Sequence, residues 1–309
     1  MNTSTFSPQN ILILGFGEAG KAIATGLCAP DGWRASHSAH SLRAIDPVYG
    51  QGVRGEAMRA SAASLDIPVS IDYDPSIAYA DLVISVVTGE AAVSAAREAK
   101  SLLKPRTLYA DFNSITGPQT QAVAAEFSSS SIDFVDVAVM GSFIAAGHRT
   151  PLLVSGPRCA DMCDFAASIG TPATSLSHNI GDASAVKILR SVLMKGIEAL
   201  SVECLVAARR QGLVDQVLGN IGDVDAIGLA EFIRVLTITH LTHARRRMEE
   251  VEKAIQNLDE TGVPALMCDA IRRSHQRTVD ANLDPAEIAA IDLDRALEIL
   301  DAQVVNSPR

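Results

Sequence analysis

The chain has 309 residues, 48% of them hydrophobic, and a formal net charge of −10 from 26 Lys and Arg against 36 Asp and Glu. That much apolar material fills a sizeable core and is enough for two domains. The acidic balance gives nucleic-acid binding no electrostatic support, so no nucleic-acid partner is expected. The one dense basic run, Arg245 to Arg247, is followed at once by Glu249, Glu250 and Glu252, the mixed sign of a solvated, ion-paired helix face. Five cysteines (Cys28, Cys159, Cys163, Cys204 and Cys268) make no zinc-type pattern and read as reduced, small apolar residues, so no metal site is expected. No apolar run reaches about 18 residues and no basic-then-apolar leader opens the chain, which points to a soluble cytoplasmic protein with no membrane partner.

In chain order, Ile11 to Leu14 reads as a buried strand running into Gly15-Phe-Gly-Glu-Ala-Gly20, and Lys21 onward continues as a helix. A Gly-x-Gly-x-x-Gly turn between strand and helix binds the pyrophosphate of a dinucleotide. Gly15 allows the turn, Gly17 admits the phosphates and Gly20 lets helix and strand pack closely. The loop Ala29 to Ser41 carries the only Trp, Trp33. Further strands are expected at 42–45, 68–71, 81–87, 107–111, 132–139 and 151–154, with helices over 90–103 and 118–127 between them. Strands alternating with helices argue for a mostly parallel, doubly wound sheet. From Asp182 strand signals vanish and helical stretches run to Ala302, broken at Gly212, Gly219 to Gly222, Gly262 to Pro264 and Asp284-Pro285. The expected domains are therefore residues 1–181, α/β, and 182–309, all-α, joined by a long helix over 182–211.

Two groups of residues carry chemistry. Asp46 ends the second strand, where an acid takes a ribose 2′-hydroxyl and repels a 2′-phosphate; this favours NAD, while Arg43, Arg54 and Arg59 nearby keep NADP open. On the long helix, Lys187, Arg190, Ser191, Met194, Lys195 and Glu198 fall along one stripe among apolar neighbours. Burial of a lysine in such a setting lowers its pKa, as a general base requires, and a solvated stripe is the alternative. The histidines, at positions 37, 40, 148, 178, 240, 243 and 275, are scattered; His148 follows the loop at 140–142, and ordinary packing or surface roles are expected for the rest.

The chain resembles the β-hydroxyacid dehydrogenase superfamily, which includes 6-phosphogluconate and 3-hydroxyisobutyrate dehydrogenases. The resemblance rests on Gly15 to Gly20, Val86-Val87-Thr88, Asp111-Phe-Asn113-Ser114, Val139-Met-Gly141-Ser142 and Gly181-Asp-Ala-Ser-Ala-Val-Lys187. It implies an N-terminal Rossmann-type domain followed by an all-α domain that binds substrate and forms a homodimer. It also implies that NAD or NADP contacts Gly15, Phe16, Gly17, Glu18, Ala19, Gly20, Asp46, Val87, Thr88 and Asn113. Lys187 matches the family's catalytic lysine, while Asn113, Ser114, Gly141, Ser142, Arg190 and Ser191 stand where substrate is bound. The substrate implied is a small anionic 3-hydroxy acid or sugar acid, its carboxylate held by Arg190.

The sequence also departs from the family. Met140-Gly141-Ser142 replaces Ser-Gly-Gly, Arg190 and Ser191 follow the lysine in place of Asn or His and Asn, and Met194 stands where 6-phosphogluconate dehydrogenases have a Glu, which argues against 6-phosphogluconate itself. The expected reaction has Lys187 take the hydroxyl proton during oxidation and return it in the reverse direction, help worth about 10² to 10⁴-fold. Two alternatives are an imine or carbonyl reductase, against which Lys187 speaks, and a redox sensor that binds the dinucleotide without turnover.

Overall fold

A computed structural model describes residues 6–36 and 40–306; His37 lies outside the described residues. The elements of the first part are β1 (Asn10–Leu14), α1 (Glu18–Leu27), β2 (Ser41–Ile45), α2 (Gly52–Leu65), β3 (Val69–Ser70), β4 (Leu82–Ser85), α3 (Ala92–Lys100) and β5 (Leu108–Asp111). They continue with α4 (Gly117–Ala125), β6 (Asp133–Val139), α5 (Phe143–Ala146), β7 (Leu152–Ser155), α6 (Cys159–Ser168) and β8 (Ala173–Ser177). The eight strands form one sheet in the order β3-β2-β1-β4-β5-β6-β7-β8. All neighbours pair in parallel except β6 and β7, which are antiparallel. Each expected strand is present, most of them trimmed at one or both ends.

Strand periodicity divides the core between the two faces of the sheet. Ile11, Ile13, Leu82, Ile84, Leu108 and Ala110 pack on one side with Ile23 and Leu27 of α1, Met58 of α2 and Phe165 of α6. Leu12, Leu14, Val83 and Tyr109 pack on the other with Ala92, Ala96 and Ala99 of α3 and Val123 of α4. Each large aliphatic side chain buried in this way contributes about 1.5–3 kcal/mol. Trp33 is part of the first face, its Nε1 donating to the Pro8 carbonyl at 2.8 Å.

Four elements went unread in the sequence: α2, the short α5, α6 and β8. Helix α2 buries only Gly55, Met58 and Ala62, too sparse a stripe to show a 3.6-residue period. Strand β8 is the edge of the sheet, and its Ala-Thr-Ser-Leu-Ser is largely exposed, so no apolar run marks it. The expected helix over 90–103 is a 3₁₀ turn at Gly89–Ala91 followed by the shorter α3.

The remaining helices are α7 (Asp182–Gln211), α8 (Val214–Gly219), α9 (Gly222–Ile227), α10 (Leu229–Glu260), α11 (Leu266–Asp280) and α12 (Leu293–Ile299), with a π-helical turn at Leu300–Val305. The chain divides into two compact units, 1–191 and 192–309, so the division falls inside α7 and not at its start. The physical reason is that the first turn of α7 is hydrogen-bonded to the sheet through Asp136 and Ser155. Within the second unit, Leu241 packs with Ala296 and Ile299, and Ala207 with Leu258 and Val263. Both oxygens of the buried Glu203 carboxylate accept hydrogen bonds there, from the backbone N–H groups of Met267 (2.9 Å) and Cys268 (3.1 Å), capping α11 from a distance in sequence. None of the described helices is long and apolar enough to cross a membrane.

Candidate active site in the first unit

The turn after β1 exists because two of its residues have no side chain. Gly15 has φ +93°, and a Cβ there would lie 2.6 Å from the Val86 carbonyl oxygen. A Cβ on Gly20 would lie 2.1 Å from the Gly15 carbonyl oxygen, so α1 can seat on the turn only with glycine at its third position. Gly17 caps α1 with no side-chain hydrogen bond, leaving the first N–H groups of the helix for an outside acceptor.

A cleft of about 400 Å³ opens at the C-terminal ends of β1, β2 and β4. Of the residues expected to contact a dinucleotide, Gly15, Gly17, Glu18, Ala19, Asp46, Val87 and Thr88 line it. Phe16, Gly20 and Asn113 do not line it. The Phe16 side chain is fully buried in the core, and its N–H donates to Asp46 Oδ2 at 2.8 Å. Gly20 acts through the close packing just described. Asn113 is 3% exposed and belongs to a polar layer in the middle strands of the sheet.

Asp46 does more than face the cleft. Its Oδ1 accepts the Val48 N–H at 2.9 Å while Oδ2 holds Phe16, so one carboxylate ties the end of β2 to the Gly-rich turn. Arg54, on α2, also lines the cleft, its Nη2 standing 3.3 Å from where a Gly17 Cβ would be. A pyrophosphate crossing the turn would meet the N-terminus of α1 and this guanidinium together. The residues present therefore fit a dinucleotide. Tyr73 and Glu98, which sequence reasoning missed, complete the wall; burial, reinforced by Glu98, pushes the Tyr73 phenol up to about 12.

Sequence reasoning also missed a polar layer across four strands, at the last residues of β4, β5 and β7 and the middle of β6. Ser85, Asp111, Asp136 and Ser155 are successive register partners across β4, β5, β6 and β7, and all are essentially inaccessible to solvent. Asp136 Oδ2 accepts from Ser155 Oγ (2.9 Å) and the Ser184 N–H (3.0 Å), and Oδ1 accepts from Ser184 Oγ (2.7 Å). Asp111 Oδ1 accepts the Asn113 N–H at 2.8 Å, and Asn113 Nδ2 donates to Ser85 Oγ at 3.1 Å. The second oxygen of Asp111 and the Asn113 Oδ1 are buried without a hydrogen-bond partner. Burial first, then the Asp136 charge, pushes the Asp111 carboxyl up to about 7. An acid inside an otherwise apolar strand, as in Phe134-Val-Asp136-Val-Ala-Val139, was the available signal.

One turn after Ser184, Lys187 is half-buried; burial holds its ammonium below the usual lysine range, and the Asp136 charge partly offsets this. The Ser191 hydroxyl bonds back to the Lys187 carbonyl at 3.0 Å, so it serves the helix. Arg190, Ser114, Gly141 and Ser142 are exposed. Lys195 and Glu198, further along the same helix, form an exposed ion pair. Among the histidines, His148 packs across Gly26 of α1, His40 stacks on Trp33, and His178 touches Cys159.

Residues 10–162 match the NAD-binding domain of 6-phosphogluconate dehydrogenase, and residues 208–278 match a domain of unknown function, DUF1932. The chain is similar to an uncharacterised 28.5 kDa protein of Methanothermus fervidus, 26% identical over 198 residues that cover 64% of this chain and 76% of that protein. Among solved structures it is similar to MTH1747, a protein of unknown function described as structurally similar to 3-hydroxyacid dehydrogenases (27% identity, 88% and 98% coverage, TM-score 0.57). The fold is also that of an imine reductase from Myxococcus stipitatus solved with NADP+ (16% identity, 94% and 99% coverage, TM-score 0.72).

Proposed function

We propose, for a chain whose residues 10–162 belong to the NAD-binding domain family of 6-phosphogluconate dehydrogenase, that it oxidises the hydroxyl of a small 3-hydroxy acid or sugar acid, or reduces the matching carbonyl, with Lys187 as general acid/base. The observation that carries this reading is Lys187 itself. It is half-buried on a turn of α7 anchored to the sheet, with its ammonium held below the usual lysine range by burial. A neutral amine at that position takes the proton of an alcohol, and the ammonium so formed returns it to a carbonyl oxygen. When bound, the nicotinamide supplies the hydride acceptor of the oxidation and the donor of the reverse reaction.

Gly15, Gly17, Glu18, Ala19, Asp46, Val87 and Thr88 would hold the dinucleotide, with NAD favoured by the Asp46 carboxylate. Asn113 holds its Nδ2 on Ser85, so the partnerless Oδ1 is what it offers a ligand donor. Ser114, Gly141 and Ser142 orient the substrate and Arg190 grips its carboxylate. The protein acts as a cytoplasmic homodimer. The support for a second copy is the apolar surface that α7 leaves open, with Leu189 69%, Val192 71% and Val202 60% exposed.

The test is absorbance at the reduced-nicotinamide band with NAD and NADP in turn, across small 3-hydroxy acids and sugar acids. Turnover that falls at least 100-fold in Lys187→Ala, with dinucleotide affinity kept, is the expected result. A Lys187→Ala enzyme that keeps most of its kcat overturns the lysine's role. Dinucleotide binding with no turnover on any hydroxy acid overturns the substrate class and favours a sensor or a reductase of imines.

A further inference from the structure

Asp111 and Asp136 stand side by side as register partners on β5 and β6, at 1% and 0% exposure. Two ionised carboxylates in that position repel each other with little solvent to screen them, so one of them holds its proton to higher pH than the other. The hydrogen bonds decide which. Asp136 has three donors, two hydroxyls and one backbone N–H at the start of α7, whereas one Asp111 oxygen has the Asn113 N–H and the other has no partner. Donors gather around the charged form, and an orphaned oxygen marks the neutral one.

We propose that Asp136 is the positioning residue for Lys187, holding the first turn of α7 on the sheet and keeping the one negative charge of the pair, while Asp111 carries the proton. The inference rests on Lys187 being the general acid/base. Its geometric basis is that Ser184, bonded to Asp136 through both its N–H and its hydroxyl, lies one helical turn before Lys187, and that the Ala183 N–H is bonded to Ser155 Oγ at 3.0 Å. Thr120 of α4 donates to Ser184 Oγ at 3.1 Å and braces it from the other side.

Two further titratable groups lie near this layer, Asp182 and Tyr109. Asp182 at the start of α7 accepts from Ser177 Oγ and Asn179 Nδ2, and burial keeps the Tyr109 phenol protonated far above its usual range. The Asp136 charge opposes the effect of burial on Lys187. A negative charge nearby holds a lysine proton on, so its removal releases the proton at lower pH.

The experiment is competitive acetylation of the full-length protein with acetic anhydride over a pH series, with the Lys187 peptide followed by mass spectrometry. It is run on the wild type, Asp136→Asn and Asp111→Asn, with dinucleotide binding as the check of fold. The half-labelling pH of Lys187 is expected to fall by about one pH unit or more in Asp136→Asn and to stay in place in Asp111→Asn. The rise of kcat with pH shifts in parallel, a readout that a merely structural brace would not move. The reverse pattern places the charge on Asp111 and overturns the proposal, as does no shift in either variant. Should Asp136→Asn fail to fold, Asp111→Asn alone decides, because a fall there overturns the proposal and an unchanged value supports it. Labelling does not depend on turnover, so an active Lys187→Ala enzyme refutes the catalytic role separately from this electrostatic one.

Discussion

Asp46 Oδ2 accepts the backbone N–H of Phe16 at 2.8 Å, so the residue directly after β2 holds the turn that follows β1. The same carboxylate accepts the Val48 N–H, and hydrogen bonds to a charged group are worth about 1.5–3 kcal/mol each. Asp46→Ala should therefore do more than relax the choice between NAD and NADP. We expect at least about tenfold weaker binding of both dinucleotides, the equivalent of ~1.4 kcal/mol, measured by fluorescence titration. A variant that merely gains NADP affinity and keeps that for NAD would show that the brace is dispensable.

Gly20→Ala places a methyl 2.1 Å from a backbone oxygen that cannot move without breaking the turn. Loss of dinucleotide binding and destabilisation by about 1–3 kcal/mol are expected, whereas Gly212→Ala, with open space around its Cβ but φ +71°, should cost stability through strain alone and leave binding intact. Thermal melts with and without dinucleotide separate the two.

Asp111 sets a pH dependence of stability with a definite sign. Its folded pKa, about 7, lies above the unfolded value near 3.8, so the native state binds the extra proton between those limits. Its contribution is fully present below about pH 4 and is lost as pH rises through 7, a change on the order of a few kcal/mol. Asp111→Asn keeps the acceptor for the Asn113 N–H and removes the titration. Denaturant unfolding at pH 5 and pH 8 should show a gain over wild type that is larger at pH 8; an equal difference at both would refute the assignment.

In the second unit, His240 and His275 face each other with ring centroids 4.8 Å apart, and His240 Nε2 bonds Thr278 Oγ1 at 2.8 Å. Burial, the neighbouring imidazole and Arg247 push His240 down to about 4, and burial and Arg247 lower His275 as well. With folded values below the unfolded 6.5, this contribution is present above about pH 6.5 and is lost as pH falls toward 4. The helical unit should unfold first on acidification, and His240→Asn should flatten the loss; circular dichroism against pH checks both.

If the open apolar face of α7 is where the proposed second copy sits, the wild type should be dimeric at micromolar concentration by light scattering and Val192→Asp monomeric. A wild type that is itself monomeric removes the homodimer from the proposal.

Much of the first unit was legible because its signals are local. A run of apolar residues meeting Gly15-Phe-Gly17 names a strand and a phosphate turn without reference to any distant residue. The helix breaks at Gly212, Gly219 to Gly222 and Gly262 were legible for the same reason, and α7, α8 and α10 end at or within two residues of them. Helix α2 and β8 escaped because one buries three residues and the other sits at an exposed edge, and neither leaves a periodic pattern.

By itself the sequence determined the doubly wound sheet, the helical second half and the glycines of the cofactor turn, since backbone sterics and hydrophobic periodicity act over a few residues. Only the tertiary structure decided that Ser85, Asp111, Asp136 and Ser155, 70 residues from first to last, form one buried layer, because the register between strands, parallel across β4, β5 and β6 and antiparallel between β6 and β7, is set by long connections that no local pattern encodes. It also made Asp46, expected from the sequence as a ribose ligand, the clasp of the turn. Burial is a property of the packed molecule, and it lowers Lys187 and raises Asp111.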